Sequence, residues 1–193
     1  LQWWTGTYEY GSVSLSGSCQ GSNAVLVKYD SSNTELWGET VSIGTVSSEF
    51  LGVATDGSEY VYAVGYQNGT EAYAYDSETA TGTYDGFNAV IVKYDPDGVA
   101  QWARTAATAS SYSLFKDVAV DASGNVYAAG YQNGTGDFAY GSHTVAGASS
   151  NENAVIVKFD SAGAAQWARS VSEAAGRSSY GMVVVDENGN VYA

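Results

Sequence analysis

A segment of 17 residues recurs in this chain at a constant step, and that step limits what the chain can fold into. Asn88–Arg104 reads NAVIVKYDPDGVAQWAR, and Asn153–Arg169 is identical to it at 13 of 17 positions. A more divergent copy occupies Asn23–Glu39. The three segments start 88 − 23 = 65 and 153 − 88 = 65 residues apart, so the 193 residues form a repeat protein with a 65-residue unit.

A second motif keeps the same step, and together the two motifs predict four short strands in each unit. VYAVGYQNGT starts at Val61 and VYAAGYQNGT at Val126, and VYA follows at Val191. Turns of the Asp-x-x-Gly type separate runs rich in Val, Tyr and Ala, which is typical of hairpins. In the third unit the predicted strands are 118–120, 126–132, 153–159 and 164–171. Residues 135–152 are a variable stretch that holds a possible short ribbon around Phe138–Tyr140.

The strand pattern predicts an all-β fold, specifically a β-propeller made of four-stranded antiparallel blades. The 23 Gly and 16 Tyr and the single Pro agree with a strand-rich chain. We expect one array of three propeller repeats over residues 1–193, with a partial blade at 1–51, blades at 52–116 and 117–181, and the start of a further blade at 182–193. Closed propellers usually have about four to eight blades, so we expect a partial ring or one completed by self-association, for which a homodimer is the simplest form.

The charge of the chain disfavours two classes of partner. Lys and Arg total 7 and Asp and Glu total 21, which gives a formal net charge of −14. Nucleic acids and anionic membrane surfaces attract basic proteins, so neither is an expected partner. No apolar run approaches the roughly 20 residues of a membrane-spanning helix. Solubility explains the acidity, and attraction of cations such as Ca²⁺ remains an alternative.

The residues that recur with the repeat are expected to build the scaffold. A docking Trp between units, with its N–H on a neighbouring carbonyl, explains Trp37, Trp102 and Trp167 better than a sugar-stacking platform does. Five of the seven cations recur beside them, and an anion-binding ring is the alternative to pairing and packing: Lys28, Lys93, Lys158, Arg104 and Arg169. The recurring Asp turns lack the converging carboxylates of a Ca²⁺ site and are sufficient as hairpin turns: Asp56, Asp95, Asp97, Asp121, Asp160 and Asp186.

The remaining residues give no catalytic or metal-binding set. His143 is the only histidine and Cys19 the only cysteine, so neither a zinc site nor an intrachain disulfide is expected. Asn68-Gly69-Thr70 and Asn133-Gly134-Thr135 match a glycosylation pattern, but an Asn-Gly turn explains both. Trp3 and Trp4 break the repeat, which makes them candidates for a site or for a terminal contact. We therefore predict no catalytic, cofactor or metal residues and leave the binding residues open.

The motifs also resemble a known family. The pattern D-x-x-G-N-V-Y-x-x-G, followed by N-A-V-x-V-K-[YF]-D-x-x-G and Q-W-A-R, resembles the bacterial β-propeller repeats often labelled SBBP, over essentially the whole chain. The matching residues are Asp121, Gly124, Asn125, Val126, Tyr127, Gly130, Lys158, Asp160, Gly163 and Trp167. The first unit departs at Asn33 and Glu39, which replace the turn Gly and the Arg. Asp95–Trp102 is more weakly similar to quinoprotein-type propeller repeats.

The resemblance and the residues together give three functional expectations. The family resemblance implies a secreted or cell-surface bacterial protein, and the recurring residues are all explained by structure. We therefore expect a noncatalytic binding or scaffold module with an unknown ligand. A carbohydrate-binding, lectin-like propeller is the first alternative. A propeller hydrolase or lyase is the second, and it would need polar residues from the variable stretches Glu71–Asp85 and Asp137–Glu152. The sequence leaves open whether the chain belongs to a longer protein.

Overall fold

A computed structural model describes all 193 residues, and every regular element in it is a β-strand. The all-β prediction is therefore confirmed. Small and β-branched residues between Asp-Gly turns give short strands, because they pack well on a pleated surface and lack the long side chains that favour helices. The structure offers no helical segment with the length and apolarity that crossing a membrane requires.

The strands fall into groups that follow the 65-residue step. Before residue 48 they are β1 (Gln2–Trp3), β2 (Thr7–Tyr10), β3 (Val13–Ser16), β4 (Ser22–Asn23), β5 (Val25–Tyr29) and β6 (Glu35–Ile43). The next group is β7 (Ser48–Thr55), β8 (Val61–Asn68), β9 (Ala72–Tyr75), β10 (Glu78–Thr81), β11 (Phe87–Tyr94), β12 (Ala100–Thr105) and β13 (Thr108–Ala109). The last are β14 (Ser113–Val120), β15 (Val126–Asn133), β16 (Asp137–Tyr140), β17 (His143–Ala146), β18 (Glu152–Phe159), β19 (Ala165–Ser170), β20 (Val184–Val185) and β21 (Val191–Tyr192).

Two complete four-stranded antiparallel sheets form the centre of the molecule. The first complete sheet has the order β7-β8-β11-β12, and the second has the equivalent order β14-β15-β18-β19. Their registers match, because Ile91 pairs with Val64 in the first and Ile156 pairs with Ala129 in the second. Each sheet is built from one 65-residue unit, which accounts for the repeated sequence motifs.

The sheets begin earlier than the sequence indicated. The expected boundaries at residues 52 and 117 fall inside β7 and β14, and the strand expected at 118–120 starts at Ser113. Both strands contain a bulge, between Phe50 and Gly52 and between Phe115 and Asp117. A bulge inserts one residue and breaks the alternation of inward and outward side chains. The residues before the bulge therefore do not continue the alternation of those after it, and the sequence pattern does not mark them as part of the strand.

A further sheet is composite, because it joins strands of two consecutive units. Its order is β10-β9-β6-β5, so the β9–β10 hairpin of one unit pairs with the fourth strand of the preceding unit, through Val41 and Tyr75. The later hairpin, β16–β17, pairs in the same sense with β13. This hairpin confirms the ribbon expected around Phe138–Tyr140. The variable stretches therefore tie consecutive units together.

The main core lies between the two complete sheets. Its buried side chains include Tyr62, Val64 and Ile91 from the first sheet and Phe115, Val155 and Val157 from the second. The first strands of the two sheets, β7 and β14, come so close that a Cβ added at Gly52 would lie 2.8 Å from the Cα of Asp117. Both faces of the central strands are covered, which agrees with sheets stacked between neighbouring sheets.

Candidate ligand-binding cleft

The recurring tryptophans hold consecutive units together. The indole N–H of Trp37 donates to the carbonyl of Pro96 over 2.8 Å, and that of Trp102 donates to the carbonyl of Ser161 over 3.1 Å. In both cases the acceptor belongs to the Asp-x-x-Gly turn of the following unit. The prediction of a docking Trp is confirmed at these two positions. Trp102 is buried and Trp37 is half-buried, and an indole packed and hydrogen-bonded in this way is not free to stack on a sugar.

The recurring cations serve the same contact. Lys28 donates to the carbonyl of Pro96, and Lys93 donates to the carbonyl of Ser161, each over 3.2 Å. Arg104 adds a bond of 3.1 Å from its Nε to the carbonyl of Gly163. Burial lowers the pKa of Lys93, although the charge of Asp56 partly offsets the effect. Lys28, Lys93 and Arg104 are therefore engaged with turn carbonyls and do not form an open anion site.

The recurring aspartates stabilise their own turns. The carboxylate of Asp160 accepts the backbone N–H groups of Ala162 and Ala164 at 3.0 and 2.9 Å. Asp121 accepts the equivalent bonds from Ser123 and Asn125, and also the side chains of Asn125 and Tyr127. Burial alone would raise the pKa of Asp121, but these hydrogen bonds prevail and lower it. The need for this Asx-type turn thus explains why Asp recurs at the equivalent position of each unit.

The strongest candidate for a site is an open cleft between the two complete sheets. It lies where β8 ends and β11 begins, beside the corresponding ends of β15 and β18, and its volume is about 590 Å³. Its aromatic walls are Tyr84, Phe87, Tyr112 and Tyr131, and acidic groups stand among them at Asp85 and Glu152. We call these six residues the aromatic cleft.

The scaffold positions one wall of the aromatic cleft through Asn88. This fully buried side chain accepts the backbone N–H groups of Thr83 and Tyr84 at 3.0 and 2.9 Å. Its amide donates in turn to the carbonyls of Tyr84 and Gly86 at 2.8 and 2.9 Å. Asn153 makes the same set of bonds one unit later. The repeated Asn therefore fixes a loop whose side chains are free to vary.

Three of the four rings of the aromatic cleft pack against another aromatic ring. Tyr112 meets Tyr131 edge to face, with ring centroids 6.1 Å apart and planes at 88°. Phe87 packs on Tyr66 with centroids 4.4 Å apart. Burial raises the pKa of Tyr131, and the nearby charge of Glu152 raises it further. The Tyr131 hydroxyl is therefore neutral at physiological pH and can both donate and accept a hydrogen bond.

Three of the aromatic residues in the cleft do not recur with the repeat. One unit later, Ser149 stands in place of Tyr84, Glu152 in place of Phe87 and Arg177 in place of Tyr112. The cleft is therefore specific to this pair of sheets and is not a by-product of the scaffold. Phe87 is exposed and the three tyrosines are partly exposed, and accessible rings beside carboxylates can bind the faces of a sugar and its hydroxyl groups.

The other residues considered in the sequence lie outside the aromatic cleft. His143 lines a separate cleft of about 390 Å³ that it shares with Arg169. Cys19 is buried, and its thiol donates to the carbonyl of Ser22. Trp3 and Trp4 are 55% and 64% exposed, so their rings are accessible to solvent, but neither residue lines the aromatic cleft.

Sequence reasoning did not identify the aromatic cleft as a site. Its residues come from separate stretches around positions 84–87, 112, 131 and 152, and only the sheet stacking brings them together. A signal was nevertheless present, because Tyr84, Phe87 and Tyr112 are aromatic exceptions within an otherwise regular repeat. The two acidic residues of the cleft, Asp85 and Glu152, are the last residues of the two variable stretches that would have to supply the polar residues of a hydrolase or lyase.

Comparison with known proteins adds no assignment: no protein-family model matches the chain, and no curated protein is significantly similar to it.

Proposed function

We propose that this chain is a noncatalytic binding or scaffold module of a bacterial secreted or surface protein, built as part of a β-propeller with three repeats. The propeller arrangement is supported by the equivalent order of the two complete sheets and by the close approach of their first strands at Gly52. The other strands also follow the 65-residue step: β5 and β6 correspond to third and fourth strands, and β20 and β21 correspond to first and second strands.

One observation carries the binding role. The recurring Trp37 and Trp102 are occupied in holding units together, whereas three of the four aromatic residues of the aromatic cleft do not recur. Selection for the fold alone explains the first group but gives no reason for Tyr84, Phe87 and Tyr112 to gather at one opening. A solvent-accessible aromatic cleft of about 590 Å³ has the size of a site for a small ligand or a segment of a larger one.

Carbohydrate binding is the second candidate, and the composition of the cleft favours it. Tyr and Phe rings present flat apolar faces, and Asp85, Glu152 and the side chain of Asn68 accept or donate hydrogen bonds at the same opening. A sugar needs both kinds of contact, because its ring faces are apolar and its edges carry hydroxyl groups. The ligand would then be a neutral glycan and not an acidic one, given the two carboxylates and the net charge of −14.

The test compares the chain with two variants on an array of neutral and acidic glycans. Phe87→Glu and Tyr112→Arg introduce the residues that stand one unit later, so the scaffold already accommodates both. Trp3→Ala is the matched control, because it removes an exposed, nonrecurring aromatic residue outside the cleft. We expect binding of neutral glycans that both cleft variants lose at least about tenfold and the control retains, since each buried stacking contact contributes about 1–3 kcal/mol.

Two outcomes would contradict parts of this proposal. Absence of binding across the array removes the carbohydrate candidate and leaves a protein or peptide as the ligand. Hydrolysis or cleavage of a bound glycan that Asp85→Asn or Glu152→Gln abolishes would replace the noncatalytic module with a hydrolase or lyase, because two carboxylates at one cleft are the groups such enzymes use.

A further inference from the structure

We propose that Glu39 and Asp76, with the hydroxyl group of Tyr94, form a binding site for a divalent cation of the Ca²⁺ type. We call these three residues the junction site, because they lie where β6 meets the β9–β10 hairpin and the β11–β12 turn of the next unit. The junction site shares no residue with the aromatic cleft, so it does not depend on the function proposed for that cleft.

The three positions of the junction site surround one space, as the next junction along the chain shows. One unit later, the equivalent residues are Arg104, Gly141 and Phe159, and they line a single cavity of about 300 Å³. Glu39 and Arg104 have equivalent partners on the neighbouring strand, so their side chains leave the sheet in the same direction. The side chains of the junction site therefore converge on the equivalent space.

At the later junction, the cation in this space is part of the chain. The guanidinium of Arg104 donates from its Nε to the carbonyl of Gly163 over 3.1 Å. Glu39 stands in place of Arg104, and an ionised carboxylate has no hydrogen to donate to the equivalent carbonyl of Gly98. The exchange of a cation for an anion therefore creates a position among oxygen atoms that suits a bound cation.

Asp76 adds a second carboxylate at the same place. It occupies the hairpin turn with φ of +52°, at a position where the other two units have Gly11 and Gly141. Its Oδ2 accepts the backbone N–H of Ala100 over 3.2 Å, and Ala100 pairs across the strands with Tyr94. This hydrogen bond holds the carboxylate of Asp76 beside Tyr94.

The two carboxylates have no counter-charge within the chain. The one ion pair of the structure joins Lys28 to Glu59, outside the junction site. Burial, together with the charge of Asp76, raises the pKa of Glu39 to about 7, so the two carboxylates are close enough to repel each other. A divalent cation between them would replace this repulsion with two attractive contacts.

The hydroxyl group of Tyr94 independently indicates a ligand at this place. Tyr94 is fully buried, and its hydroxyl oxygen has no hydrogen-bond partner, although a buried hydroxyl without one is costly. Its ring packs on Trp37 with centroids 6.3 Å apart, and Glu39 lies two residues further along the same face of β6. Burial, then the neighbouring Tyr75 and the two carboxylates of the junction site, raise the pKa of this hydroxyl, which places it within range of both charges.

The donor atoms favour Ca²⁺ over other metal ions. Carboxylate, carbonyl and hydroxyl oxygens are the ligands that Ca²⁺ prefers, and it accepts about six to eight of them in flexible geometry. Asp76 is exposed, so water can complete the coordination from the solvent side. The junction site offers no nitrogen or sulfur donor, which disfavours Zn²⁺ and softer metals.

Thermal unfolding of the whole chain at pH 8, where the carboxyl group of Glu39 is ionised, tests the proposal. Two carboxylates correspond to a weak site, with a Ca²⁺ dissociation constant of about 10⁻⁴–10⁻³ M. About 5 mM CaCl₂ should therefore raise the Tm by roughly 3–6 °C relative to the same chain in EDTA. NaCl of equal ionic strength should not reproduce the rise.

Variants locate the cation within the chain. Glu39→Gln and Asp76→Gly should each remove the rise in Tm. The double variant Glu39→Arg, Asp76→Gly introduces the residues that stand one unit later, so the scaffold accommodates it, and it should be insensitive to CaCl₂. Asp137→Ala is the matched control and should keep the full rise, because it removes an exposed acid from the later hairpin and introduces the residue found one unit earlier.

Terbium luminescence provides a direct measurement of binding that does not rely on stability. Tb³⁺ occupies Ca²⁺ sites and is excited through a nearby indole, and Trp37 packs on Tyr94 of the junction site. We expect emission from the unmodified chain and from Asp137→Ala that CaCl₂ displaces. Folded Asp76→Gly should lose most of this emission.

Three results would overturn the proposal. The first is an unmodified chain whose Tm does not respond to CaCl₂ and which gives no terbium emission. The second is an equal rise in Tm for the unmodified chain and every variant, or an equal rise in NaCl, which would show general screening of an acidic surface. The third is a folded double variant that still responds to CaCl₂, which would place the cation elsewhere.

Discussion

A substitution at Gly163 measures how strongly the Trp–turn contact joins two units. Replacing Gly163 with Ala has two effects: it places a residue with a Cβ at φ of +79°, and it brings that Cβ to 2.7–3.1 Å from ring atoms of Trp102. The first effect costs about 1–2 kcal/mol. The second forces a buried indole to move, which typically costs about 1–3 kcal/mol more.

Gly124→Ala provides a control that separates the two effects. Gly124 ends the same kind of Asp-x-x-Gly turn with φ of +77°, and the nearest atom to an added Cβ is 3.6 Å away, at an ordinary contact distance. We expect Gly163→Ala to lower the free energy of unfolding by about 1–3 kcal/mol more than Gly124→Ala does. Urea denaturation followed by tryptophan fluorescence and by far-UV circular dichroism measures both values. Equal destabilisation by the two substitutions would refute the claim that the turn Gly is needed for contact with Trp102.

Further predictions concern the charged groups and one hydrogen bond of the scaffold. Burial, together with the charge of Asp76, raises the pKa of Glu39 to about 7, so stability should fall as pH rises from the ordinary value of 4.5 to about 7. Glu39→Gln should remove this slope and stabilise the chain at pH 8 by roughly 1–2 kcal/mol, after allowance for partial exposure; a slope unchanged in thermal melts would contradict it. Asp121→Asn should cost about 1 kcal/mol at neutral pH, because one accepting oxygen is lost. Since hydrogen bonds lower the Asp121 pKa, that cost should vanish in melts taken as pH falls below the folded-state value, and a cost that persists in acid would count against it. Trp102→Phe should cost about 1 kcal/mol through loss of the bond to Ser161, and a neutral result in urea titrations would show that this bond contributes nothing.

The strands and their docking contacts could be predicted because both follow from the repeat. Alternating apolar residues such as Val155 and Val157 locate a strand whatever its neighbours are. A Trp that recurs at every unit is explained most simply by a contact that also recurs, and the bond from Trp102 to Ser161 bears this out. These features depend on residues close together in sequence or separated by one constant step.

The beginnings of the sheets and the aromatic cleft depend on information that periodicity does not contain. The bulge between Phe115 and Asp117 shifts the register, so Leu114 and Phe115 do not fit the alternation of the residues that follow. The cleft joins Phe87 to Tyr112 and Tyr131 across two sheets. Which loop faces which is decided by sheet stacking and by the hydrogen bonds of Asn88, and no spacing in the chain encodes it.

The partner of the β9–β10 hairpin in the composite sheet could not be predicted from the repeat either. β9 pairs with β6 of the preceding unit, where Tyr75 and Val41 are both buried at the junction, although the sequence indicated no partner for the ribbon in the variable stretch. A repeat predicts that each unit contacts its neighbour, but the partner strand is chosen by side chains in the stretch that varies most.

Hydrogen exchange at the five indole N–H groups tests the central claim most directly, which is that recurring tryptophans join consecutive units through hydrogen bonds to turn carbonyls. Two-dimensional ¹H–¹⁵N spectra resolve these groups individually once single Trp→Phe variants have assigned them. The structure predicts slow exchange for Trp37 and Trp102, whose indoles are bonded to Pro96 and Ser161, and fast exchange for the other three: Trp3, Trp4 and Trp167. Fast exchange at Trp102, or protection of Trp167 equal to that of Trp102 in a single, unassociated chain, would contradict the account.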